Sequence, residues 1–309
     1  MSWTAIEQAI SEATGQTFQA TAASPVVGGC INEAMRLEGS GGSFFVKLNK
    51  PGLEDMFAAE AAGLDELRAS GTVTVPAPVC SGTDDRQSWL VLEYIESGYE
   101  RSWSSGRLGE HLAAMHRNMS DSFGWCRENY IGRTPQPNTP CGEWVDFYGR
   151  LRLGFQLDLA RDAGAPGNLI ERGRRLLEDL PAFFSGYSPA PSLLHGDLWG
   201  GNWACDASGN PIIFDPAVYY GDREADIAMT ELFGGFDTDF YQAYKGAWPL
   251  DPGYAQRKAL YNLYHVLNHF NLFGGGYASQ AQSMVDGLSL IHISEPTRPE
   301  LVSRMPSSA

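Results

Sequence analysis

The sequence predicts an α+β protein of two unequal lobes. Residues 1–95 read as an antiparallel β lobe with one helix, and residues 96–288 as a larger, mainly helical lobe. Three observations predict this. Strand-length apolar runs gather before residue 95, helical periodicity dominates after it, and one β interlude near residues 192–215 interrupts the helices. The 309 residues exceed what one small core needs, and the 43% hydrophobic content supports a large buried interior rather than a disordered chain.

In the first lobe, residues 26–30 (VVGGC) and 33–39 (EAMRLEG) read as strands. A GSGG turn at 39–42 then closes a hairpin with 43–49 (SFFVKLN). The next segment is helical, because Phe57, Glu60, Leu64 and Leu67 fall on one face and Gly71 would stop the helix. Residues 89–95 (WLVLEYI) form another apolar run of strand length. Beyond it, Leu108, His111, Leu112 and Met115 share a helical face, as do Trp144, Phe147, Tyr148, Leu151 and Phe155. Segments 254–272 and 277–288 read as further helices. The β interlude comprises SLLHGD, NWACD, an ASGN turn and PIIFD. From residue 289 the chain loses periodicity and carries two prolines near the middle of the tail. Residues 289–309 therefore read as a non-native extension of cloning or read-through origin, with no function.

Charge narrows the partners. With 22 basic and 37 acidic residues the net is −15, so the surface repels nucleic acid and anionic membranes. A nucleotide remains compatible, because a local basic cluster and a metal ion suffice to hold one. No apolar run approaches the roughly 18 residues of a membrane span. The acidic N-terminus lacks the basic start and apolar run of a signal peptide. Cys30, Cys80, Cys126, Cys141 and Cys205 are odd in number and form no C-x-x-C pair, which fits a reduced, cytoplasmic protein.

The chemistry is carried by His195-Gly196-Asp197 together with Asn202 and Asp215. Asn202 lies five residues after Asp197, and Asp215 ends the IIFD run thirteen residues later. Protein kinases space an H-R-D-x-x-x-x-N pattern in the same way, with a second metal-binding Asp further along the chain. Phosphoryl transfer needs a carboxylate to orient a hydroxyl and accept its proton, which fits Asp197. It also needs hard oxygen ligands for Mg²⁺, which fits Asn202 and Asp215. Each residue alone could belong to an ordinary turn or cap; the full spacing is far more specific.

The first lobe supplies the rest of a nucleotide site. Lys47 lies in a strand-like V-x-K setting. Glu60, thirteen residues on, shares a face with Phe57 and Leu64, where a carboxylate is costly unless paired. Pairing with Lys47 solves this and turns the lysine toward ATP phosphates; the other reading leaves Glu60 solvated at the edge of the face. Gly28, Gly29 and Cys30 offer backbone N–H groups to phosphates, although they form neither a G-x-G-x-x-G nor a Walker loop. Backbone groups at Glu93 and Ile95, where the lobes would join, are placed to bind adenine.

In this order the motifs resemble the fructosamine kinase (ketosamine kinase) family, within the bilobal protein-kinase-like fold shared with aminoglycoside phosphotransferases. The resemblance rests on FFVKLN, LVLEYI, NYIG with the nearby Gln136, LLHGDLWGGNW, IIFDPAVYYGDREADIAM and LNHFNLFGGGY, and runs from about Trp3 to Leu288. It implies ATP- and Mg²⁺-dependent phosphorylation of a sugar hydroxyl, the 3-hydroxyl by family habit, on a fructosamine or ribulosamine. That substrate is small or protein-linked, and the phosphorylated adduct breaks down to free the amine, a deglycation repair. It also implies Asp197 as base, Asn202 and Asp215 as metal ligands, Lys47 and Glu60 as the ion pair, and Trp199 facing the sugar. Core packing is the other reading of Trp199. Asp226 is implied as a support of the catalytic loop. Asp222 and Glu224 lie in the same stretch without an assigned role.

His269 is open between a substrate-pocket residue and a satisfied core histidine, while His116 reads as structural. Cys30 adjoins the glycine loop, and the family is known for such a cysteine. Oxidation there would distort nucleotide binding or link two chains, so a monomer or a redox-sensitive dimer is expected; the plainer reading is a small residue that fits. Two other functions remain open. One is a kinase of the same fold acting on an aminoglycoside, choline or homoserine. The other is a non-catalytic nucleotide-binding module, whose expected mark is loss of Lys47, Asp197, Asn202 or Asp215. All four are present.

Overall fold

A computed structural model of the chain describes residues 3–26 and 32–291. It opens with a helix, α1 (Thr4–Thr14), which ends where Gly15 takes φ 70°. Strands β1 (Ala20–Pro25), β2 (Glu33–Gly39) and β3 (Gly42–Asn49) lead to helix α2 (Glu54–Ala69), and strands β4 (Pro78–Thr83) and β5 (Ser88–Glu93) come next. The five strands form one antiparallel sheet in the order β1-β2-β3-β5-β4. The hairpin expected at the GSGG segment is present, with Gly39 paired to Gly42 across Ser40 and Gly41.

Alternation along β3 divides the sheet into two faces. Val46 and Leu48 pack with Leu37, Trp89 and Val91 beneath Ile6 and Ile10 of α1. Phe45 points the other way and joins Leu90 and Leu92 under Phe57, Leu64 and Leu67 of α2. This part of the molecule therefore carries two helices where the sequence reading expects one. The missed helix is short, and only Ile6 and Ile10 of α1 are buried. One i,i+4 pair is a faint periodic signal.

The second part contains α3 (Ser104–His116), β6 (Asn129–Ile131), β7 (Thr134–Gln136), α4 (Trp144–Tyr148), a π-helical turn (Gly149–Gly154), α5 (Phe155–Asp162) and α6 (Gly167–Phe183). Four short strands come after α6, namely β8 (Ser192–Leu194), β9 (Trp203–Cys205), β10 (Pro211–Ile213) and β11 (Tyr219–Gly221). Helices α7 (Glu224–Leu232), α8 (Thr238–Ala247), α9 (Tyr254–Phe273) and α10 (Tyr277–Ile291) complete it. The strands pair as β6–β7, β9–β10 and β8–β11, all antiparallel. A single large apolar cluster runs through this part and reaches the α2 face of the sheet.

Two details depart from the sequence reading. The helix expected through Trp144 and Phe155 is interrupted by the π-helical turn, which leaves Leu151 half-buried and turns Arg152 fully inward. Helix α10 also continues to Ile291, three residues into the segment read as a non-native tail. Residues 292–309 lie outside the described residues. Among the described residues no helix is long and apolar enough to cross a membrane.

The β9–β10 hairpin ties the two parts together. Thr74 bridges Ile212, accepting the Ile213 N–H at 3.0 Å, while Gly98 donates to the Cys205 carbonyl at 2.9 Å. The hairpin is thus gripped from both sides of the β sheet's exit.

Candidate active site

Strand β8 hands the chain directly to His195-Gly196-Asp197. Asp226, on α7, accepts the N–H groups of His195 and Gly196 at 2.7 and 2.8 Å. Gly196 takes φ 82°, and a Cβ there would lie 2.0 Å from the Ala217 carbonyl oxygen. Glycine alone lets this loop lie against the segment after Asp215. His195 Nε2 contacts the Phe214 carbonyl at 2.9 Å and Nδ1 faces the Asp197 N–H at 3.3 Å. Those partners assign the neutral ring with its proton on Nε2. Burial, which lowers the His195 pKa, favours the same neutral form.

The β9–β10 hairpin closes the other side. Trp203 pairs with Ile213, and the Phe214 N–H donates to the Asn202 carbonyl at 3.1 Å. Asn202 and Asp215 therefore flank the open end of one short hairpin. Asn202 Nδ2 donates to the Asp197 carbonyl at 2.8 Å and lies 3.4 Å from Asp197 Oδ2, leaving its amide oxygen for a cation. Asp215 has φ 58°, the only positive φ of a non-glycine residue among the described residues. Aspartate tolerates this region at modest cost.

Lys47 joins the two parts of the molecule. Its ammonium bonds Glu60, as the helical-face argument requires, and also Asp215 Oδ1 at 2.6 Å. Burial pulls the lysine pKa down, but Asp215 and Glu60 together hold it above its ordinary value, so the ammonium stays charged. Asp197 shows the opposite balance. Desolvation, then the nearby charges of Asp215 and Asp226, push its carboxyl well above the usual carboxylate range, against the pull of Asn202.

Behind the loop lies a buried polar support. His116 meets Asp226 Oδ2 at 3.1 Å and the Tyr244 hydroxyl at 2.7 Å, and is fully buried. Burial opposes the charge on Asp226, yet its bonds to His116 and the Gly196 N–H hold its pKa below the ordinary value. Asp222 accepts hydroxyls from Tyr187 and Tyr261, and Glu224 pairs with Arg257 at 2.8 Å.

The remaining expected residues separate. Glu93 ends β5, and its N–H is already given to the Ala77 carbonyl at 2.8 Å, so that N–H is not available to adenine. Ile95 lies two residues past the strand and is half-buried. Trp199 is exposed to 38%, with its ring over Gly201, where a Cβ would come within 2.2 Å of it. That placement removes the core-packing reading. His269 gives Nδ1 to the His265 carbonyl at 2.8 Å, and its ring sits among Phe233, Phe273 and Tyr277. Phe233 precedes Gly234 and Gly235, which abut Gly200 of the catalytic loop. His269 thus borders the loop through an aromatic group. Gly28, Gly29 and Cys30 lie outside the described residues, and with them the phosphate-loop and redox expectations.

Sequence reasoning assigned no contacts to a buried amide network that fixes the chain after Asp215. Asn129 donates to the Val218 carbonyl at 2.7 Å and Gln136 to the Ala217 carbonyl at 3.0 Å. Asn138 donates to Asn129 and is held by Arg152. NYIG and Gln136 carried the family resemblance, but no spacing rule names their partners.

The donor set suits a nucleotide-borne cation. Among the described residues, no three His, Cys, Asp or Glu side chains gather into a complete metal cage. Asn202 and Asp215 instead offer two oxygen donors beside a lysine, which suits Mg²⁺ that arrives with phosphate oxygens.

Comparison with known proteins gives a consistent result. The fructosamine kinase family model matches residues 2–290. A probable ketoamine kinase of Synechocystis sp. is 49% identical over 288 residues, covering 92% of this chain and 95% of the relative. The chloroplastic protein-ribulosamine 3-kinase of Arabidopsis thaliana is 43% identical over 275 residues, covering 88% and 84%. A candidate fructosamine-3-kinase structure from Haemophilus somnus 129PT superposes with a TM-score of 0.85 at 30% identity, over 93% of this chain and 97% of that one. A thermostable mutant of aminoglycoside phosphotransferase APH(4)-Ia shares the fold, with a TM-score of 0.60 at 15% identity over 94% of this chain and 100% of that one.

Proposed function

The chain belongs to the fructosamine kinase family, and on that premise we propose that it transfers the γ-phosphoryl group of ATP to a sugar hydroxyl of a ketosamine, a fructosamine or ribulosamine. The observation that carries the reading is the convergence of Lys47, Glu60, Asp197, Asn202 and Asp215 in one place. The 3-hydroxyl is the assigned acceptor, and loss of the phosphorylated sugar from its amine makes the reaction a deglycation.

Each residue has a task that its surroundings support. Lys47, held by Glu60, directs its ammonium to the α- and β-phosphates. The carbonyl of Glu93 and the N–H of Ile95 hold adenine. Asn202 and Asp215 hold Mg²⁺, which when bound neutralises charge on the phosphates. Asp197 orients the acceptor hydroxyl and takes its proton. Its position is fixed through the His195–Phe214 and Asp226–Gly196 bonds. Trp199, exposed two residues away, offers a flat apolar ring to the sugar's C–H face. Residues 1–95 would then carry the nucleotide and 96–288 the catalytic and acceptor groups.

A panel of acceptors with coupled ADP detection tests this. Turnover is expected on fructosamines and ribulosamines. Turnover on an aminoglycoside or choline, with none on any ketosamine, would overturn it.

A further inference from the structure

We propose that residues 123–130 together with Tyr220 form a fixed clasp on α2 that holds Glu60 engaged with Lys47, which makes Glu66 a positioning residue for the nucleotide site. This rests on the reading of Lys47 and Glu60 as the phosphate-directing pair.

Glu66 is about one and two-thirds turns beyond Glu60 on α2 and presents a different face. A glutamate on an outer helical face is ordinarily solvated. Here it is half-buried and receives two donors from distant chain segments, the Tyr220 hydroxyl at 2.6 Å and the Trp125 indole N–H at 3.4 Å. Trp125 is itself buried. Asp55, eleven residues earlier, returns to the same face of the helix. It receives Arg127 at 3.0 Å and the Tyr130 hydroxyl at 3.1 Å. This second end is exposed and weak on its own. Its contribution is to fix the other extremity of the helix, so that Glu60 lies between two anchored points.

The same flank of α2 is closed by side-chain contact, because Gly63 lies one turn before Glu66. A Cβ at Gly63 would meet the Val218 side chain at 3.2 Å and Pro216 at 3.7 Å, so the helix already lies against the segment just after Asp215. Outward movement breaks the Glu66 bonds, and inward movement is blocked by Val218.

The clasp is anchored in the catalytic loop's own framework. Gly124 and Tyr220 exchange backbone bonds at 2.9 and 2.8 Å, and β11, which contains Tyr220, pairs with β8, which delivers His195. The same contacts give the NYIG and VYY segments a shared task, since Tyr130 and Tyr220 close on the two ends of one helix.

The test combines Glu66→Ala, Glu66→Gln and Tyr220→Phe with amide hydrogen exchange of α2 in the nucleotide-free protein. Calorimetric binding of Mg²⁺-ADP and steady-state kinetics complete it. Glu66→Ala is expected to speed α2 exchange about tenfold or more and to weaken ADP binding and raise KM for ATP by about fivefold, with kcat at saturation changed less. Glu66→Gln keeps one acceptor and should recover part of the loss; Tyr220→Phe should fall between. Unchanged exchange and ADP affinity in Glu66→Ala would overturn the proposal. So would a uniform rise in exchange with kcat and KM moving together, the mark of general destabilisation. Wild-type protein that binds no ADP would overturn the functional reading instead, and the exchange measurement would still decide the clasp.

Discussion

Lys47 and Asp215, 168 residues apart in the chain, meet at 2.6 Å, and the same ammonium bonds Glu60. One buried cation therefore joins strand β3, helix α2 and the loop after β10. Two carboxylates on one ammonium keep it charged despite burial. That shared contact predicts a separable effect on activity and on stability.

Lys47→Met should lower kcat/KM by about 10²-fold or more, the scale for losing one charge-directing group. It should also destabilise the fold by about 3 kcal/mol, because Glu60 is left buried and unpaired. Adding Glu60→Gln should restore much of the stability and none of the activity. Denaturant midpoints with coupled ADP release check both. Stability restored together with activity would mean that Lys47 serves only the fold.

Gly196→Ala should be strongly destabilising. It forces a side chain into φ 82° and against the Ala217 carbonyl oxygen. A strained backbone of this kind costs about 1–3 kcal/mol before the clash is counted. Thermal unfolding should show the loss, whereas Gly142→Ala, with open space around its Cβ, should melt as wild type does.

Acid should weaken the fold through its buried histidines. Burial lowers the pKa of His116, and lowers that of His265 to about 3. As pH falls below about 6.5, the unfolded chain takes up a proton that the buried His265 ring does not, so that ring costs about 1.4 kcal/mol of stability per pH unit, and His116 acts in the same direction. Asp226, whose pKa is depressed, adds a further loss only as pH falls below about 3.9. Buried carboxylates with raised pKa values, Glu224 at about 7 among them, act in the opposite sense, so the contribution of His265 is read as a difference: between pH 7 and 5 the unfolding midpoint of His265→Leu should fall less steeply than that of the wild type. An unchanged slope in that variant would contradict the assignment.

Chelation should stop turnover without loosening the fold. Asn202 is held by the Asp197 carbonyl and Asp215 by the Lys47 ammonium, so the chain's own groups position both. EDTA is therefore expected to abolish ADP release, Mg²⁺ to restore it, and the melting temperature to stay constant throughout. A melting temperature that drops on chelation would point to a structural metal.

Much of this site is legible in the sequence because its parts are local. Asp197, Asn202 and Asp215 are tied by one short hairpin, and Glu60 betrays itself as a charge on an apolar face. Their separation by fixed spacings is a consequence of β9–β10 pairing at Trp203 and Ile213. Helix α1 was hidden because two buried isoleucines give little periodicity. The inward turn of Arg152 was hidden because a π-helical turn breaks the 3.6-residue repeat that sequence patterns assume. Glu66, Asp55, Asn129 and Gln136 find their partners across 59 residues or more, or through backbone carbonyls, and no local pattern encodes such partners.

The most direct test of the central claim is product identification by NMR after incubating the protein with ATP, Mg²⁺ and a fructosamine. A new phosphorus–carbon coupling at the sugar's C3, absent with Asp197→Asn although that variant still binds ADP, is the predicted result. ADP release without a phosphorylated ketosamine, or full product formation by Asp197→Asn, would contradict the account.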